Sequence, residues 1–88
     1  MKRWRKKVNI KQFLSDDGSP ENAAKVARQI VGLLKSECSQ EIGEDDELAE
    51  IVGWMECIEV EEDACEILNC YLNDLYDWAD ANRVWMGP

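Results

Sequence analysis

Apolar residues along this chain recur three and four positions apart over three long stretches, the spacing of a buried helix face rather than the alternation of a strand. The first stretch opens at Ser19 and Pro20, a cap followed by a proline in the first turn, and predicts a helix over 20–36. Ala23, Ala24, Val26, Ala27, Ile30, Val31, Leu33 and Leu34 gather on one side of its wheel. Lys25, Arg28 and Lys35 line the other, with Gly32 among them. Cys38 to Glu44 reads as a connection punctuated by Gly43. A second helix is predicted over 45–59, capped by Asp45 or Asp46, with Leu48, Ile51, Val52, Met55 and Ile58 as its core face. The third, over 62–81, is the most regular: Ala64, Ile67, Leu68, Tyr71, Leu72, Leu75 and Trp78 fill one half of the wheel, and acids and asparagines the other.

The N-terminal region carries two conflicting periodicities. Trp4, Val8 and Ile10 alternate like a strand, whereas Ile10, Phe13 and Leu14 have helical spacing behind Asn9 as a cap. A short helix over 10–16 behind a loose basic arm over 1–9 is the reading taken. The expected fold is all-α: one domain over 1–88, a small helical bundle of three main helices plus a short N-terminal helix and a basic N-terminal arm. At 88 residues such a domain is near the size where one core barely suffices, so a partner or a second copy is a natural source of further stability.

Charge changes the picture more than any motif. Residues 1–35 hold nine lysines and arginines against three acids, while 36–88 hold one arginine against 16 acids, a balance of +6 followed by −15. From Ser36 to Asn82 there is no lysine or arginine at all, so the helices there lack the i,i+4 counter-charges that ordinarily relieve repulsion. That field has two natural complements: the basic head of the same chain, or a basic partner.

The chemistry that is absent narrows the function. With no histidine, the commonest general base is missing, and no Gly-rich phosphate loop occurs. Asp16, Asp17 and Gly18 fail the calcium-loop pattern because Gln12 and Leu14 stand where its first ligands belong. Cysteines 38, 57, 65 and 70 match no zinc or redox spacing. A non-enzymatic protein without cofactor or metal is expected, with free thiols and Cys70 the most exposed of them. There is no apolar run of membrane-spanning length and no apolar h-region after Met1–Lys7, which points to a cytoplasmic setting and no membrane partner.

The binding residues expected from this pattern are Glu47, Glu50, Glu62, Glu66, Asp77 and Asp80. Acids three or four residues apart on a helix repeat every ~4.5–6 Å, on the scale of the phosphates along one DNA strand. Such a surface competes for the lysine and arginine lining of a DNA- or RNA-binding protein. In size and composition the chain resembles the small acidic DNA-mimic inhibitors of bacteriophages, the anti-restriction and anti-CRISPR proteins. The resemblance implies an inhibitor acting in the host cytoplasm by filling a nuclease's basic site, and the basic head departs from it. Two other classes compete. One is a helical adaptor or homodimer working through hydrophobic faces, for which the small-residue stripe Ala49, Gly53 and Cys57 and the Trp85 tail are the features; close packing of that stripe within the chain is its simpler explanation. The other is a nucleic-acid-binding regulator using Lys2, Arg3, Trp4, Arg5, Lys6 and Lys7, cations around a ring able to stack on bases.

Overall fold

Ser19 begins the first helix as its sequence predicts: the side-chain oxygen accepts from the Asn22 N–H at 3.2 Å and Pro20 occupies the first turn. The structure, a computed structural model describing residues 3–87, runs β1 (Lys6–Lys7), a 3-10 turn (Ile10–Phe13), α1 (Pro20–Glu37), α2 (Ser39–Glu44), α3 (Asp46–Glu56), α4 (Ala64–Ala81) and β2 (Val84–Trp85). Helices α1, α3 and α4 pack against one another in all three pairings. Their facing stripes make one core that includes Ala27, Ile30, Leu34, Leu48, Met55 and Leu75, each fully buried. Among the described residues no polar or charged side chain is fully buried. No helix among them is long and apolar enough to cross a membrane.

The all-α expectation holds, with four differences. The stretch 39–44, expected as a connection, is the short helix α2. Cys38 anchors it: the buried residue's carbonyl accepts from Ile42 N–H, and Gly43 stays in the helix without a left-handed φ. The break falls one residue later, at Asp45, whose Oδ1 accepts from the N–H groups of Glu47 and Leu48 and starts α3. Helix α3 stops at Glu56 rather than 59, and α4 starts at Ala64 rather than 62. Charge accounts for the earlier end of α3. Glu59, Glu61, Glu62 and Asp63 would put four negative charges at the negative end of α3, and placed ahead of α4 they approach a helix end that favours them.

The N-terminal segment is the largest correction. The described part of the expected loose arm is held down, because Lys6–Lys7 pairs in parallel with Val84–Trp85. Beyond that pair, Arg5 N–H donates to Arg83 O at 2.9 Å and Ile10 N–H to Met86 O at 3.0 Å. Both periodicities seen in the sequence are therefore used, one after the other: Val8 and Ile10 bury as strand-like residues, and then Ile10–Phe13 closes a single 3-10 turn in place of the expected helix to residue 16. Asn9 does not cap that turn; its carbonyl accepts from the Gln12 amide, while its own Oδ1 is buried without a partner. Gly87 closes the contact at φ 140°, where a Cβ would stand 2.7 Å from Lys11 side-chain carbons.

Candidate protein-binding surface

Two contacts fix how α3 and α4 present their acids. The Trp78 indole N–H donates to Oδ2 of Asp45 at 2.7 Å, and the rings of Trp54 and Tyr71 stack with centroids 5.6 Å apart at 28°. The start of α3 therefore lies beside the end of α4, making an antiparallel pair in which Glu47 and Glu50 stand near the levels of Asp77 and Asp74. The outer stripe of α3 is Asp46, Glu47, Glu50, Gly53, Trp54 and Cys57, all exposed. On α4 the outer stripe contains Glu66, Cys70, Asn73, Asp77 and Asp80, again all exposed.

The acids so presented fall into two patches. Asp46, Glu47 and Glu50 with Asp74, Asp77 and Asp80 make one; Glu59, Glu61, Glu62, Asp63 and Glu66 make the other. Between them on α4 the outward positions are neutral, including Asn69, Cys70 and Asn73, and the step from Glu66 to Asp74 is eight residues, about 12 Å of helix. The expected even ladder of charge along α4 is thus interrupted, and Glu62 belongs to the turn before the helix. Of the six carboxylates expected to bind a partner, all are exposed. Glu47, Glu50, Glu62, Glu66 and Asp77 make no ion pair with a described residue, and Asp77 and Asp80 border an open groove together with Trp4, Lys11 and Trp85.

Apart from Lys11 in that groove, the cations that form ion pairs among the described residues are placed elsewhere. Arg5 and Lys6 converge on one oxygen of Glu41, at 3.2 and 2.7 Å, and Lys35 pairs with Glu56. Arg5 also donates to Asn82 O and Lys6 to Glu37 O, so both are tied to the bundle. Glu41 is held below the usual carboxylate range, first by the hydrogen bond from Lys6. Lys11 lies 5.2 Å above the ring of Tyr76. Of the residues expected to form a nucleic-acid arm, Arg3, Trp4 and Lys7 are exposed, Arg5 and Lys6 are engaged as described, and Lys2 lies outside the described residues.

The small-residue stripe is half-buried at Ala49 and open at Gly53 and Cys57. Nothing approaches within 4 Å of a Cβ built on Gly53, and Cys57 is exposed, so no other helix uses that flank for close packing. Trp85, by contrast, folds back as expected, half-buried in the strand pair. Cys70 shares its exposure with Cys57; burial and the neighbouring Glu41 push the Cys38 thiol up, and Cys65 donates to Gly18 O at 2.9 Å. No group of three or more histidines, cysteines and acids among the described residues is placed to hold a metal ion. Sequence reasoning missed one feature of this surface, the Trp54–Tyr71 stack, whose signal was Trp54 standing on the polar side of its helix. Searches of protein families, curated proteins and solved structures found no match to this chain.

Proposed function

We propose that this is a non-enzymatic binding protein whose acidic α3–α4 face occupies the basic site of a DNA- or RNA-binding protein and inhibits it by doing so. The observation that carries the reading is where the protein's own cations go. Arg5, Lys6 and Lys35 neutralise Glu41 and Glu56, and five of the six partner-binding carboxylates keep their charge toward solvent without an ion pair to a described residue. A net charge of −9 concentrated in this way favours fast, salt-sensitive association with a cationic groove and disfavours phosphate backbones.

The test is a charge reversal. Glu62→Lys, Glu66→Lys and Asp77→Lys are combined in one protein, which is compared with the wild type for capture of host proteins, elution by salt, and competition with duplex DNA for the captured target. The expected result is loss of the salt-eluted target and of the competition. Capture that survives both the triple reversal and high salt would sink the proposal.

A further inference from the structure

At the turn joining α3 to α4 the surface is neither simply acidic nor simply apolar. Trp54, 43% exposed, stacks on Tyr71, and the two rings with Ile67 form one wall of a cleft of about 180 Å³. Glu59 and Glu61 line it from the turn, both exposed and without an ion pair to a described residue, and Val60 between them is 56% exposed. Small-molecule sites run to about 300–1,000 Å³, so a cleft of this size suits one side chain of a partner rather than a free ligand.

We propose that this cleft receives an arginine side chain from the basic partner. The inference rests on the acidic-surface reading above and names its anchor. The chemistry of the walls selects the occupant. A guanidinium is planar and weakly hydrated, stacks on an indole face, and carries N–H donors around its edge for carboxylates; a lysine ammonium is a compact, strongly hydrated charge that forgoes the planar stack. An aromatic wall beside two unpaired glutamates satisfies both halves of a guanidinium at once. Nucleic-acid bases stack on tryptophan too, but their phosphates are repelled by Glu59 and Glu61. A second copy of this chain brings a further −9 of charge. Buried aromatic and arginine anchors are also the contacts that dominate protein interfaces.

The experiment titrates isotope-labelled protein with blocked nona-arginine and nona-lysine peptides of equal charge at about 0.15 M salt, where long-range attraction is largely screened. The probe is the Trp54 indole N–H, identified by its loss in Trp54→Ala. Nona-arginine is expected to bind about threefold or more tightly than nona-lysine and to shift the Trp54 signal. In Trp54→Ala the preference disappears while both peptides still bind. In the Glu59→Gln/Glu61→Gln protein, which alters exposed side chains and so keeps the fold, the Trp54 shift is lost. Equal affinities in the wild type, a preference retained in Trp54→Ala, or a Trp54 shift that persists in the double glutamine variant would each overturn the cleft while leaving the acidic-surface reading standing. Failure of both peptides to bind at about 0.05 M salt overturns both readings. Peptide-free self-association that protects Trp54 assigns the cleft to a second copy and overturns the arginine occupant.

Discussion

One carboxylate joins two helices: Oδ1 of Asp45 receives the first amides of α3, and Oδ2 receives the indole of Trp78, a side chain 2% exposed. Removing it in Asp45→Ala takes away a helix cap and leaves a buried N–H without a partner, so a loss of about 2–3 kcal/mol is expected as a lower urea midpoint with an unchanged slope. The hydrogen bond from Trp78, ahead of the backbone amides, also holds the Asp45 carboxyl below its ordinary range. Because the folded value is depressed, this contribution is complete above the unfolded pKa of about 4 and is lost as pH falls through the folded value. Glu41 behaves in the same sense, through Lys6. Urea midpoints taken from pH 6 downward should therefore fall below about pH 4, and fall less steeply in Asp45→Ala.

At the scale of elements, the periodic stretches were legible because their signals are local. Ser19–Pro20 capped α1, the 3.6-residue apolar stripes placed α3 and α4, and Asp45 was one of two foreseen caps. What the sequence hid depended on distant residues. Lys6 and Lys7 read as a solvated arm until Val84 and Trp85, nearly the whole chain away, offer them a ladder. Cys38–Glu44 read as a connection because only a tertiary pocket makes Cys38 a buried anchor. The candidate acids were visible by type, but their division into two patches follows from where α3 ends and α4 begins. Gly53 shows the same limit. Its small-residue spacing suggested a helix crossing, yet the flank is open, so Gly53→Ala meets no neighbour and removes the backbone freedom of a mid-helix glycine. A gain of about 0.5–1 kcal/mol in chemical denaturation is expected, and a loss would show that something does pack there.

Taken as a whole, the molecule is held together against its own charge. Its ion pairs among described residues involve Arg5, Lys6, Lys35, Glu41 and Glu56, while most of the other acids are exposed to solvent. Salt weakens those few attractions and the many repulsions alike, and with a net charge of −9 the repulsions dominate. The melting temperature should rise between about 0.02 and 0.5 M sodium chloride, by roughly 5 °C if screening is worth about 1 kcal/mol. A melting temperature that drops with salt would mean that the Glu41 and Glu56 pairs outweigh the general repulsion.

The parallel strand pair also imposes an order in time. The N–H groups of Arg5, Val8 and Ile10 donate to the carbonyls of Arg83, Trp85 and Met86, which are made long after them. Helices α1, α3 and α4 pack directly on one another, whereas the β1–β2 pair closes nearly the whole stretch into a loop, so a refolding chain is expected to assemble its bundle first and dock β1 late.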